Sequence, residues 1–384
     1  MQKPQIPTAA FADTKPHYDI LDGLRGVAAI TVVCFHIFEA YATSHSDQII
    51  NHGYLAVDFF FILSGFVVGY AYDDRWKKIT TKDFIKRRII RLHPMVVMGA
   101  VIGAVMFYLQ GCSVWDVSKV TIVALFFATF LNALLIPAAP ATEVRGLGEM
   151  FPLNGPSWSL FFEYIGNILY ALFIRKLSTG VLALLVLVAG CGLATFAILG
   201  PYGDICAGFS LTGTEFTAGS LRLLFSFSAG LLLSRIFRPV RVKGVFWICS
   251  LFVVILLAVP RIGGAEHLWM NGVYDTACCV LCFPFLVCLG ASGKSAGKHT
   301  TRLCKFLGDI SYPLYMVHYP FIYLYYAWVK NDDLTFRESL PGAAAVVTGS
   351  IVLAYLCLKL YDIPVRKYLT NRLLRQKAIK GPFK

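Results

Sequence analysis

Residues 21–36 read LDGLRGVAAITVVCFH. The stretch starts like a membrane helix, yet it carries Asp22 and Arg25 at its mouth and His36 deep in an apolar run. Arg25 and His36 are eleven positions apart, about three helical turns, so both side chains leave one face some ~16 Å apart along the axis. A titratable ring placed that far into an apolar span is costly and points to function.

Composition sets the class. The 384 residues are 57% hydrophobic and 15% charged, with a mean hydropathy of +0.65. Such a chain cannot cover a soluble surface with polar groups, which predicts a multi-pass membrane protein. The segment Met1 to Tyr18 is polar and holds Pro4, Pro7 and Pro16, so no secretory signal is read there. Eleven cysteines lie mostly in apolar runs without metal-ligand or disulfide spacing and read as small hydrophobes. No metal site is expected, because the eight histidines are dispersed.

The net charge of +13 sits between apolar runs, as topology determinants do, which argues against nucleic acid. Runs long enough to span ~30 Å of hydrocarbon begin near Asp22, Tyr54, Pro94, Val120, Trp158, Val181, Ser220, Val245, Val273, Ile310 and Gly342. The basic stretch Arg75 to Arg91 belongs inside by the positive-inside rule, as do Arg175 with Lys176, Arg235 to Lys243, Lys294 to Lys305 and the tail from Lys359. Eleven crossings would reverse the later loops. Val120 to Pro137, with Asn132 and the breaker-rich IPAAPA, is therefore expected to be re-entrant or tilted. Ten crossings place 28 Lys and Arg inside, five outside and two in spans, with both termini cytoplasmic.

The expected architecture is thus an all-α integral membrane protein of about ten transmembrane helices plus one re-entrant segment. Residues 1–18 form a cytoplasmic segment, 19–362 the membrane domain and 363–384 a basic cytoplasmic tail.

At ~1.5 Å per residue, His36, Asp58, Glu163 and His318 fall in the middle or outer half of the bilayer on four different spans. Burial without partners is costly, so the four are expected to face one polar cavity. A carboxylate that orients an imidazole makes a general base, a part Asp58 or Glu163 could fill for His36. In KRRIIRLHP, Arg88 and Arg91 share a helix face and could grip phosphates. In PLNGPSWSLFFE the turn Asn154-Gly155-Pro156 precedes a helix that Ser157 could cap. In GDISYPLYMVHYP, Tyr315 and His318 share a face, with Ser311 a turn away and a kink expected at Pro313. That ring of hydroxyls suits an oxygen-rich acceptor.

These blocks, together with LDGLRG, the FH at Phe35-His36 and GYLAVDFFFILSGFV, resemble the acyltransferase-3 family of membrane O-acyltransferases, in order and across most of the chain. The stretch Ala171 to Ala291 carries little beyond hydropathy.

The resemblance implies a bacterial inner-membrane enzyme that passes an acyl group, usually acetyl from acyl-CoA, to a hydroxyl of a carbohydrate or glycoconjugate. It implies required roles for Arg25 and His36, donor binding by Arg88 and Arg91, and further site candidates in Asp58, Trp158, Glu163 and His318. In the combined reading, Asp58 and Glu163 join Arg25 and His36 in catalysis. Arg25 also guides the donor, and Asn154, Trp158, Ser311, Tyr315 and His318 contact the acceptor. Many relatives carry a periplasmic SGNH-type extension that is not seen here, so transfer is expected to be completed by the membrane domain or a separate partner. The competing class is a transporter or flippase in which the buried ionisable residues relay protons or bind substrate.

Overall fold

The computed structural model describes residues 15, 17–42, 47–110, 117–240, 242–294 and 297–374. Part of the expected N-terminal segment and residues 375–384 of the basic tail lie outside them.

The helices, in chain order, are α1 Asp19–Glu39, α2 Ala56–Tyr72, α3 Thr81–Leu109, α4 Ile122–Ala133, α5 Ser157–Leu172, α6 Thr179–Leu199 and α7 Gly213–Ile236. They continue with α8 Val245–Ala258, α9 Trp269–Ala277, α10 Phe283–Ser292, α11 Lys298–Val317, α12 Tyr319–Asn331, α13 Phe336–Cys357 and α14 Ile363–Leu373. Single wide turns, Cys278–Cys282 and Leu358–Asp362, join α9 to α10 and α13 to α14. Among the described residues the only strand pair is Val242–Lys243 against Gly293–Lys294, two residues each. Eight helical stretches there are long and apolar enough to cross a membrane. The protein is an all-α, multi-pass membrane protein.

Helix α4 falls within the Val120–Pro137 run expected to be re-entrant or tilted. Its twelve residues rise only ~18 Å, well short of the ~30 Å hydrocarbon layer. One side packs on α3 around Phe107, Ala128 and Leu153, while Ile122, Val123 and Phe126 are about three-quarters exposed. Apolar side chains so exposed on a bundle of this composition mark a lipid-facing surface.

Helix α1 sits inside the bundle, and missing side chains let it do so. A Cβ on Gly26 would meet the Leu307 carbonyl oxygen of α11 at 2.4 Å, and one on Gly23 would meet Cys304 Sγ at 2.9 Å. Helices α2 and α7 close on each other in the same way: a Cβ on Gly65 would strike the Phe227 carbonyl oxygen at 2.0 Å, and one on Gly230 that of Ile62 at 2.1 Å. Small residues that bring backbones together drive helix association where no hydrophobic effect can.

Across the α2–α7 contact lies a fully buried ion pair. Arg222 Nη2 is 2.7 Å from Asp58 Oδ2, and the guanidinium also donates to the carbonyls of Tyr54 and Ala207 at 2.8 Å each. The Trp158 ring lies 5.0 Å from the Arg222 guanidinium carbon, seated over Gly208, whose φ of +120° and close approach leave no room for a side chain.

One end of the bundle gathers charge: Lys15 with Asp74 at 2.9 Å, Arg235 with Asp73 at 2.7 Å, and the Tyr170 hydroxyl donating to Asp73. This is the end that carries the Arg75–Arg91 stretch, and it is called the basic end below. At the far end the loop between α4 and α5 folds onto α12. There Arg145 donates to Gln110 Oε1 at 2.7 Å and lies 3.5 Å from the Tyr323 ring centroid, while the Tyr323 hydroxyl donates to Glu149. Burial pushes the Glu149 carboxyl up to about 7, against the opposing pull of Arg145 and the Tyr323 hydroxyl.

Two sequence expectations change at this level. Helix α5 does begin at Ser157, but Ser157 provides no cap and its hydroxyl is buried without a partner; Ser159 Oγ instead donates to the Pro156 carbonyl. Pro313 lies inside α11, and the break falls at His318, between α11 and α12.

Asp58→Ala is expected to destabilise the protein by about 3–5 kcal/mol in a denaturant titration in detergent, because it strands a buried guanidinium. The Glu149 carboxyl titrates higher in the folded protein than in the unfolded chain. Between about pH 4.5 and 7 the unfolded chain therefore releases a proton that the folded one keeps, so stability declines as pH rises through that window. Melting curves from pH 4.5 to 7 should show this slope in the native protein and a flatter one in Glu149→Gln.

Candidate functional site

A cavity of about 480 Å³ opens at the basic end between α1, α2, α3, α5, α11 and the α13–α14 turn. Asp22, Arg25, Arg88, Arg91, Glu163, Ser311 and Tyr315 all line it. Five expected site residues from α1, α3, α5 and α11 (Arg25, Arg88, Arg91, Glu163 and Ser311) therefore face one space, with Tyr315 as a sixth.

The cations differ in how free they are. Arg25 is held by Asp22 Oδ1 at 3.0 Å, donates from Nε to Ser311 Oγ at 2.8 Å and from Nη2 to the Gly308 carbonyl at 3.2 Å. Arg88 is committed to Glu163, whose Oε1 accepts from Arg88 Nη2 at 2.8 Å and from Ser64 Oγ at 2.7 Å. Arg91 and Lys305 line the cavity and make no ion pair among the described residues. A ligand's negative charge would meet those two first.

At the inner end of the cavity the Tyr315 hydroxyl lies 2.7 Å from Ser159 Oγ, and the Phe60 ring stands edge-on to Tyr315 at 5.6 Å. Beyond them come the two histidines. The His318 ring is 5.9 Å from that of Tyr315, and the His36 ring 5.5 Å from that of His318.

His36 and His318 do not line the cavity, which corrects the expectation of one shared crevice. A hydroxyl-bearing wall separates them from it. Nor does either expected carboxylate serve His36: Asp58 is spent on Arg222 and Glu163 on Arg88. The partner is Glu39, on the same helix, whose Oε1 lies 2.8 Å from His36 Nδ1. Glu39 stands three residues after His36, a spacing that places two side chains together on any helix. That spacing is visible in the sequence, although Glu39 is not among the residues expected at the site.

The contact fixes the chemistry of the ring. An ionised carboxylate only accepts, so Nδ1 is the donor in this contact, and a neutral imidazole held in this way has Nε2 as its acceptor. The Tyr319 ring, edge-on at 4.6 Å, limits its rotation. His318 is set the same way by different groups: its Nδ1 lies 3.0 Å from the carbonyls of Leu314 and Tyr315, and its buried Nε2 has no partner.

The remaining candidates are struts. Asn154 is fully buried and its Nδ2 donates to the Met316 carbonyl at 2.8 Å, tying the loop before α5 to the end of α11. Trp158 lies against Arg222, away from the cavity. Sequence reasoning also missed Lys305, Asp309, Asp362 and Arg366, which complete the cavity from α11, the last wide turn and α14. Arg366 pairs with Asp362 at 3.2 Å.

The profile of a family described as "Acyltransferase domain" matches residues 18–359. Over 159 residues the chain is 35% identical to a protein of Rhizobium radiobacter named Protein 2 in picA locus, covering 40% of this chain and 80% of that one. It is 29% identical over 169 residues to Acyltransferase MdmB of Streptomyces mycarofaciens, covering 40% of this chain and 38% of that one. It is 31% identical over 114 residues to an O-acetyltransferase candidate of Staphylococcus aureus (strain COL), covering 28% of this chain and 17% of that one. The chain thus spans well under half the length of the last two. No solved structure matches it. The family match over residues 18–359, most of the chain, leads to one conclusion: this chain belongs to the acyltransferase-3 family of membrane O-acyltransferases.

Proposed function

We propose that the protein takes an acyl group, acetyl in the first instance, from acyl-CoA entering at the basic end, and passes it to a hydroxyl of a carbohydrate or glycoconjugate that reaches His36 from the far end. On this reading the basic end faces the cytoplasm of a bacterial cell and the protein lies in its inner membrane. The observation that carries the proposal is the alignment along α1. A cavity with unpaired cations at its mouth ends at Tyr315, and the Glu39–His36 pair stands behind it by way of His318.

The reaction follows from the groups in place. His36 Nε2 takes the proton of the acceptor hydroxyl, and the oxygen attacks the thioester carbonyl carbon. The carbon–sulfur bond then breaks, the thiolate takes the proton from the imidazolium, and an ester and a free thiol remain. Glu39 holds the tautomer that leaves Nε2 free and offsets the positive charge as the ring is protonated. Arg25, fixed by Asp22 and Ser311 on the cavity side of the wall, guides the donor toward Tyr315 rather than touching the carbonyl under attack.

The wall between cavity and histidines is closed by a contact between two hydroxyls, Tyr315 and Ser159. Parting a neutral hydrogen bond of that kind costs about 0.5–1.5 kcal/mol, so it can open to let the acyl carbon through without loss of the fold. Arg91 and Lys305, being unpaired, receive the donor's phosphates, while Arg88 and Glu163 brace one another beside them.

His36→Ala is expected to lower kcat by about 10²–10⁴-fold with little change in donor KM, measured as acetyl transfer by purified protein in nanodiscs. Full transfer by a well-folded His36→Ala protein would remove the proposed base. Glu39→Gln should fall between the native protein and His36→Ala. Arg91→Ala should raise donor KM by about tenfold while sparing kcat, the loss of one charge-assisted contact.

A further inference from the structure

A second groove, of about 240 Å³, runs along the outside of the bundle at the basic end, between α11 and the end of α13. It shares Lys305, Asp309 and Leu358 with the main cavity, so the two are neighbours through a common rim. The cations on the groove are Arg302, Lys305 and Lys359, and none makes an ion pair among the described residues. Phe306 and Tyr355 form an aromatic shelf, 41% and 42% exposed, with ring centroids 6.2 Å apart at 42°. Lys359 Nζ lies 5.5 Å from the Tyr355 ring centroid.

The main cavity cannot serve the whole donor. Its charges are largely spent on one another: Arg25 on Asp22, Arg88 on Glu163 and Arg366 on Asp362. Its 480 Å³ lies within the range that encloses one drug-sized ligand, room for an acyl-pantetheine arm. Acyl-CoA ends in an adenosine bearing a 3′-phosphate beyond a diphosphate, so that end must leave the mouth. Apart from Arg91, the positive charge that makes no ion pair among the described residues lies on the adjoining groove, which shares Lys305 with the cavity.

Resting on the acyl-CoA reading above, we propose that this groove binds the nucleotide end of the donor. The base lies on the Phe306–Tyr355 shelf, Arg302 and Lys359 receive the 3′-phosphate, and Lys305 on the shared rim receives the diphosphate. Asp309, the one carboxylate on the groove, accepts a hydrogen bond from a sugar hydroxyl. Flat aromatic faces stack on any base and guanidinium or ammonium groups grip phosphate, a pairing common in nucleotide recognition. The wide turn Leu358–Asp362 makes the geometry possible. It brings Leu358 and Asp362 into the cavity while Tyr355 and Lys359, one turn before and one residue after Leu358, stay on the groove. Turns of this kind recur at functional sites.

The test uses the full chain in phosphatidylcholine nanodiscs and titration calorimetry with acetyl-CoA, S-acetyl-pantetheine and adenosine 3′,5′-bisphosphate. Arg302 and Lys359 are exposed, so Arg302→Glu/Lys359→Glu should keep the fold. The double variant should weaken acetyl-CoA binding by about tenfold or more, abolish that of the bisphosphate and leave S-acetyl-pantetheine unchanged. Equal acetyl-CoA affinity in the native and variant proteins would overturn the groove assignment while leaving the donor reading intact. Binding of the bisphosphate, lost in the variant, without binding of acetyl-CoA would support the groove and sink the donor reading. An effect of the variant seen only when phosphatidylglycerol is added would assign the groove to an anionic lipid headgroup and overturn the proposal.

Discussion

A charge buried in a bundle of this composition costs several kcal/mol unless a partner meets it, and that constraint organises the whole molecule. Asp58 is answered by Arg222, Glu163 by Arg88, Arg25 by Asp22 and His36 by Glu39. Each pair does a different job. Asp58–Arg222 fastens α2 to α7, Glu163–Arg88 fastens α5 to α3, and Asp22 and Glu39 hold the two functional side chains of α1 from within their own helix. Against these pairs three groups around the cavity stand out: Arg91 and Lys305 at its mouth make no ion pair among the described residues, and the buried Nε2 of His318 beyond its inner end has no partner.

Much of this was legible in the sequence. The periodicity of LDGLRGVAAITVVCFH puts Arg25 and His36 on one face, and the family resemblance rests on blocks of which several contribute residues to one cavity. What escaped is pairing, which depends on how helices are rotated. Depth alone offers Asp58 or Glu163 as the companion of His36. The close α2–α7 approach through Gly65 and Gly230 turns Asp58 toward Arg222, a residue whose role the sequence does not announce. The last helices were harder still. Asp362 and Arg366 look like ordinary basic-tail residues until the wide turn at Leu358–Asp362 carries them into the cavity wall.

The separation of the cavity from the histidines is the feature with most bearing on mechanism. In the proposed reaction, a thioester at the basic end and an acceptor at the other would require a path for the acyl group that is not also a leak. A wall of Tyr315, Ser159 and Phe60 supplies a barrier one side chain thick. On the proposed reading His36, beyond the wall, acts on the acceptor's side, and the donor's charges stay behind it. The protein need move only a ring, whereas alternating access would call for rearrangement of whole helices.

Sidedness tests this account most directly. Radiolabelled acetyl-CoA would be added outside sealed vesicles of defined orientation that hold the acceptor glycan in their lumen. The account predicts labelled glycan from inside-out vesicles, where the basic end faces the added donor, and none from right-side-out ones. Labelling from right-side-out vesicles alone, or label accumulating inside vesicles without any acylated product, would contradict it.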